Sequence, residues 1–268
     1  MRKGSPFLEV FACALKEDYR FPILEVFAFL FALGTFVFVD LTAPYARNGE
    51  AFAYNLVSTL WGFPLFIFVV LILKNVAYGL GGDLDRGVIQ TMFSYPLKRR
   101  QILTAKLLSA LGIALLLFLG IQIFSLFLLA RDTIVTYSGT VFLTSAAHLC
   151  SPALLLAGLV LLLTLLLKRG GLALVFGIVF YLAFAIISPL VSTIAYSTGS
   201  DLALKVWAVI NPNLALQRYY MGASGFLFAE EIWAPTFSEV LLYLGAGYLV
   251  VAAIFTAAYL YFERRLGI

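Results

Sequence analysis

The amino-acid sequence predicts an all-α membrane protein, and three observations carry that expectation. Of its 268 residues 63% are hydrophobic and only 12% are charged, whereas soluble domains carry about 25% charge. The apolar residues come in unbroken blocks, and six of these, at about 21–40, 52–74, 102–130, 141–167, 172–194 and 240–262, approach or exceed a membrane span. A helix rising 1.5 Å per residue needs about 20 residues to cross the hydrocarbon core. The lysines and arginines, finally, fall unevenly about those blocks. Strict alternation of apolar and polar residues, the mark of a membrane barrel, is missing. Six spans leave no room for a soluble domain of ordinary size, so residues 1–268 are expected to form a single transmembrane domain.

Residues 1–20 precede the first span. Ser5 is suited to cap a helix and Pro6 to occupy its first turn, after which Phe7, Leu8, Phe11, Leu15 and Tyr19 fall on one face. The expectation is an amphipathic helix lying in the membrane interface. Although Met1-Arg2-Lys3 is basic, Glu9, Glu17 and Asp18 interrupt the apolar residues behind it, so a signal peptide is not expected. Glu25 stands about one turn into the first span, as an interfacial carboxylate or as a dimer or gate contact. Lys74 ends the second span. The span centres otherwise carry almost no ionisable group, where a charge costs roughly 2.5–3.5 kcal/mol and is kept mainly for function. A proton relay is therefore not evident, and any energy for transport is expected to come from outside the membrane. Cys13 and Cys150 fall on opposite sides of the expected topology and read as small apolar residues.

Orientation follows from the bases. Placing both termini on one face puts 14 of the 18 lysines and arginines there, leaving Arg47, Arg131, Lys205 and Arg218 on the other. The positive-inside rule makes the rich face cytoplasmic. The net charge of +4 is explained by contact with anionic lipid and calls for no nucleic-acid partner.

The segment GGDLDRGVIQTMFSYPLKRRQ, residues 81–101, is the most polar connection on that face. Leu84, Val88, Ile89, Met92 and Phe93 recur at helical spacing, Asp83 and Asp85 stand at the front, and Pro96 disfavours helix at Tyr95. One helix over residues 82–95 is expected, with the two acids in its favourable first turn. Lys98, Arg99 and Arg100 then mark the headgroup level. No G-x-x-x-x-G-K-[ST] phosphate loop occurs anywhere in the chain.

The run DLDRGVIQTMFSYPLKRRQILTAK resembles the signature of type-2 ATP-binding-cassette (ABC) transporter permeases, the six-span membrane subunits of exporters. Asp83, Asp85, Gly87, Ile89, Met92, Phe93, Pro96, Arg99, Ile102, Leu103 and Lys106 occupy the positions of that pattern. Asp83 and Asp85 stand where the family usually has Glu, and Ala105 where it has Gly. The resemblance implies that residues 82–95, including Leu84, Arg86 and Val88, form a coupling helix seated on a separate ATPase subunit. It also implies two copies of that ATPase, which would hold ATP and Mg2+, and a second permease subunit, identical or homologous. This chain itself would bind no cofactor and perform no catalysis. A prokaryotic plasma membrane is the expected setting.

Residues 197–235 are expected outside, as short helices or re-entrant pieces broken at Asn211-Pro212, with Tyr219 and Tyr220 at interface depth. The family resembled has a comparable region between its last two spans, which implies an external gate here, and a structural cap is the other reading. In the last span Ala246, Ala253 and Ala257 share a face, with Gly245 and Gly247 near its start, suiting close helix packing within the chain or between subunits. Two rival readings stand: an ion-coupled carrier or channel, and a rhomboid-type intramembrane protease using Ser224 of Gly222-Ala223-Ser224-Gly225 with His148, the sole histidine. The protease order is reversed here, since the histidine precedes the serine. The cargo is not specified by 25 phenylalanines, which are also ordinary lipid-facing residues.

Overall fold

A computed structural model describes residues 6–20, 22–42, 49–92, 94, 97–129, 131–222 and 232–265. The described residues are 91% helical and include no strand. Its helices are α1 (Pro6–Asp18), α2 (Ile23–Thr42), α3 (Glu50–Asp85), α4 (Val88–Met92), α5 (Arg99–Leu128), α6 (Arg131–Thr136), α7 (Ser138–Leu167), α8 (Gly170–Thr198), α9 (Leu202–Ile210), α10 (Pro212–Met221) and α11 (Phe237–Arg265). Five of them, α3, α5, α7, α8 and α11, are long and apolar enough to cross a membrane. This is a multi-pass membrane protein. Helix α2, at the expected first span, is an apolar helix of 20 residues.

Burial ranks the helices. In its most apolar stretch α3 is 71% buried within the protein, whereas α8 is 6% buried. Helix α3 is therefore the hub, whereas few residues of α8 are fully buried and one side of it is exposed. The hub packs through aromatics: Phe118 of α5 lies 5.1 Å edge-on to Trp61, 4.9 Å from Phe68 and 5.5 Å from Phe31 of α2. Offset and edge-on ring pairs contribute about 0.5–1.5 kcal/mol each beyond buried area. Where α3 and α8 cross, both present glycine. A methyl at Gly81 would stand 2.7 Å from the Cα of Gly170, so only this pair permits the approach.

Helices α3, α5 and α7 widen into π-helical turns, at Leu73–Leu80, Leu108–Gly112 and Leu149–Leu154 respectively. In α7 Ser151 is extended (φ −141°, ψ 122°) beside Pro152, and the helix kinks there.

The connection between the second and third spans differs from the single helix expected over residues 82–95. Helix α3 does not stop at Lys74 but runs 36 residues to Asp85. That is about 54 Å at 1.5 Å per residue, longer than the ~30 Å hydrocarbon core, so its last turns project beyond it. The break comes at Arg86-Gly87, where Gly87 takes φ 73°, a value glycine adopts at no steric penalty. Only the short α4 follows. Asp83 and Asp85 accordingly sit at a helix C-terminus, not in a first turn, and the helix dipole opposes them there.

Helix α1 forms as expected, but its inward face is Val10, Ala14 and Asp18, with Leu8 outside. The expected cap Ser5 lies outside the described residues. In α11 the shared alanine face points outward at Ala253 and Ala257, while Gly247 packs inward against Cys150 and Pro212.

Candidate functional site

The end of α3, the start of α5 and the end of α1 meet in an ionic cluster in which Lys106 and Asp83 are buried and Glu17 is exposed. Lys106, 6% exposed, donates to Asp83 Oδ2 at 2.6 Å and to Glu17 Oε2 at 3.0 Å. Asp83 is 2% exposed. Its unfavourable place at a helix C-terminus is thus offset by a buried ammonium one helix away. Arg86 stands 4.0 Å from Asp83 on the exposed side and donates through Nε to the Gly82 carbonyl at 3.1 Å.

One turn further in, Ser109 donates its hydroxyl to Asp18 Oδ2, and Lys74 donates to the Asp18 carbonyl. Tyr19 donates to the Ala110 carbonyl at 3.5 Å and accepts from Asn75 Nδ2 at 3.2 Å. Asn75 also donates to the Ala110 carbonyl at 3.3 Å. Burial pushes the Asp18 carboxyl above its ordinary range, against the Ser109 hydroxyl and the charges of Lys106 and Lys74, which favour ionisation. Burial likewise raises the Tyr19 phenol.

Of the residues expected to meet a partner, Asp85 and Arg86 are exposed, and Leu84, Gly87, Val88 and Met92 are half-buried. Ile89 is buried in the main core and anchors the elbow there. Phe93 and Pro96 lie outside the described residues. Arg99 opens α5, whose first turn is closed by the Lys98 amide donating to Gln101 Oε1 at 3.0 Å. Lys106 belongs to the motif seen in the sequence, whereas Glu17, Asp18, Asn75 and Ser109 lie outside it.

Two hollows flank this foot. A groove of about 560 Å3 runs between α3 and α8, walled by Phe66, Val70, Leu73, Ile178 and Tyr181 and reaching Tyr78. Tyr78 also borders a polar recess of about 260 Å3 with Asp85, Arg86, Gly170 and Gly171.

The opposite end of the bundle is closed by aromatics. Helices α9 and α10 meet at Asn211-Pro212, with Pro212 at the first position of α10, as expected for that break. Tyr54 at the start of α3 donates to Asn213 Oδ1 at 3.2 Å and stacks 5.8 Å from Tyr220. Tyr219 sits edge-on to Tyr220 at 5.0 Å and 6.0 Å from Phe237. Trp207 donates to Ser188 Oγ at 3.1 Å and packs on Phe184. The buried Arg218 guanidinium lies 5.9 Å over the Tyr196 ring, within cation–π range.

The remaining candidates are scattered. Glu25 is exposed in the first turn of α2, where the helix dipole favours an acid. His148 Nε2 is 3.2 Å from Ser58 Oγ and its ring stacks on Trp61, while Ser224 lies outside the described residues. Among the described residues no group of three or more His, Cys, Asp or Glu is placed to hold a metal. Cys13 is exposed and Cys150 buried, both as free thiols. Compared with known proteins, the chain matches no family model and no curated protein.

Proposed function

We propose that this chain is the membrane permease subunit of an ABC exporter in a prokaryotic plasma membrane. The observation that carries the reading is the buried Asp83–Lys106 pair. It ties the foot of α3 to the foot of α5 and leaves the turn between them, with Asp85 and Arg86, facing outward. A turn fixed at both ends to membrane-crossing helices transmits a push from below. Both termini and this turn lie in the cytoplasm, as the distribution of bases requires, and α2 is the sixth span. A separate ATPase subunit, holding ATP and Mg2+, docks beneath each of two permease subunits. The groove between α3 and α8, and the outward apolar face of α8, belong to the contact with the second permease and to the transport path. The aromatic end, with Asn211, Pro212, Tyr219 and Tyr220, is the external gate. No nucleic acid takes part.

Charge reversal of Asp85 and Arg86 tests this reading. In proteoliposomes the intact chain stimulates ATP hydrolysis by its ATPase partner, and Asp85→Lys with Arg86→Glu abolishes that stimulation while leaving the permease folded. Equal stimulation by the double variant would remove the role given to the turn. Transport by the purified chain without any ATPase would favour the rival ion-coupled carrier, for which the buried Asp18 is the structural argument.

A further inference from the structure

The ionic cluster holds more than the two feet of the coupling turn. Its contacts join three segments far apart in sequence: the end of α1, the π-helical turn Leu73–Leu80 of α3, and the region of α5 around the π-helical turn Leu108–Gly112. Lys74 and Asn75 belong to the first of these turns, and Ser109 and Ala110 to the second. All four are engaged with Asp18 or Tyr19. Widened turns of this kind displace side chains and carbonyls from the ordinary helical ladder and recur at functional sites. Here a pair of them makes a socket for the last turn of α1. Glu17 and Asp18 stand at a helix C-terminus, where two adjacent acids oppose the dipole. They are retained because Lys106 answers the charge of Glu17 across the socket and Asp18 accepts the Ser109 hydroxyl.

We infer that Glu17 and Asp18 are positioning residues that bolt α1 to the coupling foot, so that the interfacial helix and the α3–α5 elbow move as one body. The inference rests on the proposed function and deepens it. Force delivered at Asp85 and Arg86 reaches α1 through Asp83, Lys106 and Glu17, and the interfacial helix becomes a second lever lying against the lipid. A helix that merely anchored the chain would need only its apolar face. A joint that transmits motion needs contacts that fix rotation, and this one has directed contacts at successive turns.

The native thiol Cys13 on the exposed face of α1 permits a direct test. A spin label there and a second at Ser94→Cys, exposed beyond the elbow, report the distance between helix and foot, with Cys150 replaced by Ala. In nanodiscs the distance distribution is expected to be narrow. It stays unchanged when Mg-ATP and vanadate trap the complex with the ATPase. In Glu17→Gln combined with Ser109→Ala it broadens, and stimulated ATP hydrolysis falls about fivefold, the low end of a typical coupling energy. Lys106→Arg and Ser109→Thr, which keep the charge and the hydroxyl, retain both properties. A parent distance that changes on trapping, or a double variant that stays narrow and fully stimulates, overturns the joint. A parent chain that never associates with an ATPase overturns the proposed function instead, and the labelled chain alone still shows whether the helix is bolted.

Discussion

At one end of the bundle Lys106 is clasped between Asp83 and Glu17, with Ser109 and Lys74 beside it on Asp18. At the other, Tyr54, Tyr219, Tyr220 and Trp207 hold α9 and α10 by ring contacts and single hydrogen bonds. The two kinds of joint respond differently to loss. Remove one partner of a buried ion pair and the other is left charged and dry, so the penalty falls at once. Remove one ring from a cluster and its neighbours relax partly into the space. The ionic end is directional, as the proposed coupling role needs. An aromatic end can yield by repacking, which suits the proposed gate.

The largest effect should come from Lys106→Met, which strips the counter-charge from Asp83 and Glu17 together. We expect a loss of about 3–5 kcal/mol, read as a fall in the unfolding midpoint in detergent. Adding Asp83→Leu to the same chain should recover most of it, because two apolar groups of similar shape replace a buried pair with little penalty. If the single and double variants unfold alike, the pair is not what holds the foot. Next comes Trp207→Ala, with an expected loss of about 3 kcal/mol from the emptied space. That loss should not depend on salt or pH. A steep dependence on either would mean that charge, not ring packing, holds this end and would erase the contrast.

Gly81→Ala sharpens the comparison from a third side. Its methyl would stand 2.7 Å from the Gly170 Cα, a backbone atom with little room to move aside. Overpacking of this sort costs about 1–3 kcal/mol. Because the crossing lies beside the foot and far from the cap, the variant should broaden the distance between Cys13 and residue 94. It should leave the fluorescence of Trp207 unchanged, and a shift there would mean that the two ends are not separable.

The long apolar blocks were legible because a membrane span needs only length and composition, and the observed α5, α7, α8 and α11 fall within a few residues of the expected limits. The break at Asn211-Pro212 was legible for a local reason, since proline cannot continue the preceding helix and readily begins the next. The elbow is not legible because the helical spacing of Leu84, Val88 and Met92 persists across Gly87, and periodicity does not register one residue at φ 73°. The ionic cluster was illegible for a different reason. Glu17 and Lys106 are 89 residues apart, and each alone reads as an ordinary charge near a headgroup. Only the fold brings them together. The one sequence signal was Glu17-Asp18 closing an amphipathic helix where acids are disfavoured.

The smallest predicted effect concerns pH and Asp18. Burial raises its carboxyl above the ordinary value of 3.8, so the folded protein holds this proton more tightly than the unfolded chain does. Glu17, Lys106 and Lys74 face the same group, and the two amines limit the rise without abolishing it. For a raised acid, the advantage of the folded state is complete below the ordinary value and is lost as pH climbs through the raised one. Asp18→Asn removes the titrating proton but keeps a side chain able to accept from Ser109. The variant should therefore gain stability relative to the parent as pH rises from about 4 toward neutrality, and the two should converge at the acid end. A difference in unfolding midpoint that stays flat across that range would show that folding does not raise the Asp18 carboxyl, and that its contact with Ser109 holds α1 without a retained proton.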